Sequence, residues 1–168
     1  KAHVRTGLPI FSHIEHVGCA KCAFDQIDLF EANGVDPKHL VIGHLSDIKP
    51  GSEPLAQTAK AIAKRGAFVG FDTVGREMRG SAIPEAHRVQ SVLDILMAGY
   101  EDHLVFSSDF SPTNTGYSGF KANWGNGYSS VIMQFVPKLK YAGVSDAILR
   151  KILVDNPRRF LAFVPKSA

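Results

Sequence analysis

The stretch HLVFSSDF, His103 to Phe110, is apolar from Leu104 to Phe106 and then closes on a carboxylate, Asp109. The same shape recurs upstream: LPIFSH ends at His13, LVIGH at His44 and AFVGFD at Asp72. Short, almost continuous apolar runs rich in Val, Ile and Phe read as strands buried on both faces, as in a parallel sheet. A ligand-type residue at the end of each run needs a reason, and chemistry at the strand ends supplies one.

Helix-like segments separate the runs. CAKCAFDQIDLFEANGV gathers Phe24, Ile27 and Phe30 on one face and stops at Asn33-Gly34. EPLAQTAKAIAKRG gathers Leu55, Ala59, Ile62 and Ala63 and closes at Gly66. PEAHRVQSVLDILMAGY has Pro84 in a first-turn position and Val89, Val92, Leu93 and Leu96 in helical register. After the last run, the loop SPTNTGYSGFKANWGNGYSS leads to two more helices, VIMQFVPKLKYAG and SDAILRKILVDNPRRFLAF. Strand ends at 13, 44, 72 and 109 suit right-handed βαβ crossovers and an α/β fold. In such folds ligands gather at the carboxyl ends of the strands. No strand is followed by a G-x-G-x-x-G turn, and VGREMRG has the wrong spacing, which favours a βα barrel over a nucleotide-binding sheet.

The composition, 45% hydrophobic and 21% charged over 168 residues, fits one globular domain spanning 1–168. The 19 basic and 16 acidic residues are scattered, so no nucleic-acid partner is expected. No run approaches the roughly 18 to 20 apolar residues of a membrane span. The start KAHVRTG lacks the apolar region of a secretory signal, and a cytoplasmic location is expected. Cys19 and Cys22 have the spacing of zinc and redox motifs, but no second pair exists to complete a zinc site. They read as two small residues one turn apart on a helix.

His13, His44 and Asp109 are donor types that zinc, manganese or cobalt accepts. A single His at a strand end is usually an ordinary hydrogen-bonded residue. Two His and an Asp at equivalent points of successive units point to a divalent ion.

GLPIFSH, HLVIGH, LVFSSDF and the closing DNPRRFLAF resemble the second half of the phosphotriesterase family, within the amidohydrolase superfamily. The resemblance covers essentially the whole chain and implies strands 5 to 8 of a TIM-type (β/α)8 barrel. It implies two divalent metal ions, zinc first and manganese, cobalt or iron as alternatives, bridged by a hydroxide and a carbamylated lysine. His13 and His44 would bind the more exposed ion and Asp109 the more buried one. The lysine and a His-x-His pair belong to the family's amino-terminal half and are not found here; Lys1 and His3 precede the fifth strand. Four βα units cannot close an eight-stranded barrel, so two open edges, an apolar face and a completing amino-terminal half are expected. A homodimer is expected as well.

On this resemblance the activity is that of a metal-dependent hydrolase, a lactonase, esterase or phosphotriesterase whose metal-bound hydroxide attacks the substrate. Asp109 would orient that hydroxide and take its proton. Asp47, three residues past His44, would pass protons away or serve as a turn-forming or helix-capping residue. Asp72 matches an acid of the family, whereas Thr73 stands where several relatives carry His or Arg. Arg76 and Arg79 are candidate cations for a substrate oxygen. Phe110, Tyr117, Phe120 and Trp124 are candidate walls of a pocket for a small-molecule substrate. Glu15, His16 and His39 are not expected to be ligands. Two rivals stand: another amidohydrolase reaction, amide hydrolysis or decarboxylation, and a non-catalytic half-barrel that assembles with a partner chain.

Overall fold

The computed structural model describes residues 1–14, 19–75, 83–110 and 127–163. Strands β1 (Ile10–Ser12), β2 (Leu40–Ile42), β3 (Phe68–Phe71) and β4 (Leu104–Phe106) form one parallel sheet in sequential order. A short helix, α1 (Ala2–Thr6), precedes β1, and α2 (Ala20–Ala32), α3 (Gln57–Lys64) and α4 (Glu85–Met97) make the crossovers. Among the described residues β1 and β4 are the edge strands, in keeping with the two open edges expected from four βα units.

Side chains alternate across the strands. Leu40, Ile42, Val69, Phe71 and Leu104 meet the apolar stripes of the helices, including Ile27, Ile62 and Ile95, in the main core. Val41, Phe68 and Val105 point to the opposite face. The sequence predicts an exposed apolar face here, and in the structure that face is partly covered. Phe160 packs on it, its ring 5.6 Å from that of Phe68. Phe11, on edge strand β1, keeps 52% of its surface exposed.

Three helix starts depart from the sequence reading. α3 begins only at Gln57, because Leu55 and Ala56 both take left-handed backbone (φ 48° and 52°) before it. Pro84 stands just outside α4, at its N-cap. Cys19 is likewise the N-cap of α2 and is joined by a disulfide to Cys22 in the first turn, which corrects the reading of two small residues one turn apart on a helix.

The carboxyl-terminal helices each carry a π-helical turn. Val131–Phe135 leads into α5 (Val136–Tyr141), and α6 (Asp146–Arg150) passes through Lys151–Asp155 into α7 (Asn156–Leu161). Pro137 and Pro157 follow these turns closely. Proline has no N–H for the preceding turn and its ring crowds the carbonyl there, so the helix widens just before it.

Candidate metal centre at the strand ends

β1 stops at Ser12 and delivers His13 to the carboxyl end of the sheet. Gln26 of α2 holds this end: its Nε2 donates to the His13 carbonyl at 2.6 Å, and its Oε1 accepts the Ser12 hydroxyl at 2.5 Å. Next door the Gly43 N–H donates to the Ser12 carbonyl at 2.7 Å. Gly43 has to be glycine, since a Cβ there would lie 2.7 Å from the Phe11 ring and 2.8 Å from the Asp72 carboxylate.

His44 follows in the left-handed region (φ 56°, ψ 20°) and is 5% exposed. That conformation costs a non-glycine residue roughly 1–2 kcal/mol. Its Nε2 lies 2.9 Å from Nδ1 of His13, with the two rings edge to face at 4.6 Å. Its Nδ1 lies 3.1 Å from Asp72 Oδ1, and its backbone N–H donates to the same carboxylate at 2.9 and 3.0 Å. Burial works against charge on His44. The hydrogen bond and charge of Asp72, with the charges of Asp109 and Asp47, outweigh it and raise the imidazole pKa above its ordinary value.

Asp109 lies three residues beyond β4, also in left-handed backbone (φ 47°), and is exposed. Left-handed non-glycine backbone thus occurs at two of the three residues picked as ligands, and strained backbone of this kind concentrates at functional sites. Among the described residues, no group of three or more His, Cys, Asp or Glu side chains is arranged to hold a metal. His13 and His44 do fit a shared ion: two nitrogens bound tetrahedrally to one zinc lie about 3.3 Å apart. Asp72 lies 3.1 Å from the far nitrogen of His44, the position that carboxylates take behind metal-binding imidazoles in general.

Asp47 is held in a buried ionic network. Its Oδ1 accepts Arg88 Nη2 at 2.9 Å and the Thr73 hydroxyl at 2.6 Å, and Thr73 also meets the Ser46 hydroxyl at 2.7 Å. Arg88 pairs in turn with Glu85 Oε2 at 3.2 Å, while Glu85 Oε1 accepts the Gly75 N–H at 2.7 Å. The loop after β3 is therefore fastened at Thr73 and at Gly75 through one arginine. Sequence reasoning missed Arg88, Glu85 and Gln26. Glu85 and Arg88 are an i,i+3 pair in a first turn, which in sequence looks like any solvated helix face.

The Phe110 ring packs edge to face on Tyr128 at 4.7 Å, and Ser108 donates to the Gly127 carbonyl at 3.2 Å. Glu15, His16, Arg76, Arg79, Tyr117, Phe120 and Trp124 lie outside the described residues. His39 precedes β2, at the opposite end of the sheet from His13 and His44, as its position in the sequence predicts.

Residues 1–161 match the model of the Phosphotriesterase family, and the chain belongs to that family. It is 30% identical over 159 residues to the phosphotriesterase homology protein of Escherichia coli (strain K12), covering 95% of this chain and 49% of that protein. Similarity to the N-acetyltaurine hydrolase of Dictyostelium discoideum is 28% identity over 171 residues, 98% of this chain and 44% of that one. The solved phosphotriesterase of Mycobacterium tuberculosis superposes with a TM-score of 0.77 at 29% identity, over 96% of this chain and 48% of that chain. The chain spans about half the length of the curated relatives it matches.

Proposed function

We propose that this chain is the strand 5 to 8 half of a metal-dependent hydrolase barrel acting on a lactone, carboxylic ester or phosphotriester. The observation that carries this reading is the His13–His44–Asp72 relay: two imidazoles converging at 2.9 Å, the inner one held by a carboxylate and by strained backbone. Divalent ions, zinc first, would supply a nucleophilic water at neutral pH and polarise the bond to be cleaved. His13 and His44 would hold one ion, and Asp109 another while accepting a proton from the attacking water. The amino-terminal half of the same barrel would bring a carbamylated lysine and the remaining ligands.

Asp72, Thr73, Arg76, Phe110 and Trp124 are assigned to the substrate pocket, and Asp47 to proton transfer away from it. The partners are a small-molecule substrate and a second copy in a homodimer, in the cytoplasm, with neither nucleic acid nor membrane involved. Amide hydrolysis is the second reading, favoured by the similarity to N-acetyltaurine hydrolase.

The test uses the complete natural polypeptide, stripped of metal and reloaded with zinc, manganese or cobalt, against lactones, aryl esters, phosphotriesters and N-acyl amides. Metal-dependent turnover of the first three classes supports the principal reading. Turnover of amides alone selects the second, and a chain that neither loads metal nor turns over any class is a binding module.

A further inference from the structure

The cysteine pair is unused by any of this chemistry, yet it sits one step from a proposed ligand. Cys19 caps α2, and its Sγ accepts the Cys22 N–H at 3.1 Å. Cys22 and Gln26 are an i,i+4 pair, neighbours on one helix face. Gln26 is the side chain that grips the Ser12 hydroxyl and the His13 carbonyl. The disulfide and the side chain that grips the backbone at His13 thus share the first two turns of α2.

As a staple the bond achieves little. It closes a loop of sequence separation 3, the kind that removes least entropy from an unfolded chain. Both cysteines are half-buried, open enough for a small thiol. Cys19 stands at the positive end of a 13-residue helix, where a sulfur anion is favoured.

We propose that Cys19–Cys22 is a thiol–disulfide exchange site for low-molecular-weight thiols and disulfides of the glutathione class, and that its redox state sets how firmly α2 holds the backbone at His13. In the oxidising direction the Cys19 thiolate attacks one sulfur of the small disulfide, breaking its S–S bond and releasing one thiol. Cys22 then attacks the mixed disulfide at Cys19, forming the intramolecular bond and releasing the second thiol. Two electrons pass from the cysteines to the small disulfide, and the two cysteine protons leave on the released thiols. Reduction by two small thiols is the reverse. The significance for metal binding rests on His13 being a ligand; the exchange itself does not.

The experiment equilibrates the metal-free natural polypeptide with glutathione at graded reduced-to-oxidised ratios, alkylates it and reads the intact mass. Two alkylated cysteines in reduced buffer, none in oxidised buffer and a transition between them are expected. No alkylation at any ratio, or full alkylation at every ratio, overturns the exchange site. Amide hydrogen exchange on the two forms then tests the coupling. The amides of Cys22 and Ala23, bonded to Cys19, and of Gly43, bonded to Ser12, are expected to exchange several-fold faster once reduced. Identical rates in both forms overturn the coupling. The Cys19→Ser, Cys22→Ser variant keeps an oxygen cap on α2 and its rates should ignore the ratio; dependence persisting there overturns the assignment. If the thiol titration succeeds while the substrate panel fails, the exchange site stands and the hydrolase reading falls.

Discussion

The two ends of the sheet are built from the same residue types and put them to different uses. At the amino-terminal end, His3 Nδ1 sits 2.6 Å from the Leu8 carbonyl and His103 Nδ1 3.1 Å from the Ala67 carbonyl. Rings pack around them, His39 beside His3 and Phe68 and Tyr100 beside His103, and burial lowers the His103 pKa. At the carboxyl end His44 turns to other side chains, His13 and Asp72. The backbones differ in the same sense. The left-handed positions before the strands are Gly7, Gly34, Gly66 and Gly99, where that conformation is free of strain. Beyond the strands it falls on Gly51, Gly75 and Gly127 as well, but also on His44, Leu55, Ala56 and Asp109, which are the non-glycine cases among the described residues. An imidazole is thus no signal of function by itself; its partner and the strain tolerated to place it are.

The largest effect should come from separating the two kinds of histidine. His44→Ala is expected to lower metal affinity and hydrolysis by more than ~100-fold, the upper end of what losing even an outer-shell partner costs. The metal-free chain should still unfold cooperatively. His103→Ala should retain both metal and turnover. Metal content per polypeptide and kcat/KM on both variants decide the matter, and full activity in His44→Ala would sink the site assignment.

Ionic interactions give the second contrast. Arg88 is 4% exposed in its side chain between Asp47 and Glu85. Replacing it by Met strands two buried carboxylates, at a cost of about 3–5 kcal/mol. Lys151, near Glu101 and Asp102 at the other end, is far more exposed, and Lys151→Met should leave the urea midpoint unchanged. Equal midpoints for the two variants would show that the Arg88 network does not clamp the loop after β3. Asp72→Asn comes next. It keeps an acceptor for the His44 N–H but removes the charge, and ~10- to 100-fold weaker metal binding is expected by titration.

How far the sequence reveals this contrast depends on the range of the interaction. The strands were legible because they sit in short apolar runs. β2 and β3 are indeed buried throughout, whereas edge strand β1, read as buried on both faces, leaves Phe11 exposed because no strand or helix covers it among the described residues. The meeting of His13 and His44 was legible because they stand one and two residues past the ends of adjacent parallel strands, Ser12 opposite Ile42. Asp47 was read as a proton carrier or a turn or capping residue, whereas its partner Arg88 lies 41 positions away. No local pattern encodes a pair at that separation. The late start of α3 was hidden too, since Leu55 and Ala56 are good helix formers that here adopt turn geometry. Phe160 packing on part of the second sheet face was illegible for another reason: a phenylalanine inside NPRRFLAF does not declare which face it will find.

The smallest effects test the backbone half of the comparison, and their signs should be opposite. Gly99 has φ 78° with nothing within 4 Å of where a Cβ would be, so Gly99→Ala isolates the cost of left-handed backbone, about 1 kcal/mol of lost stability. Asp109 has φ 47° and is exposed, so Asp109→Gly should relieve a similar strain and raise the stability of the metal-free chain by about 1 kcal/mol, partly offset by the greater freedom of glycine when unfolded. The same substitution should abolish turnover if Asp109 carries a metal and a proton. Urea unfolding of both metal-free variants reads the signs directly. A more stable, inactive Asp109→Gly means that the strain is borne for the site. If that variant is instead destabilised, the left-handed turn is held by packing, and its strain says nothing about function.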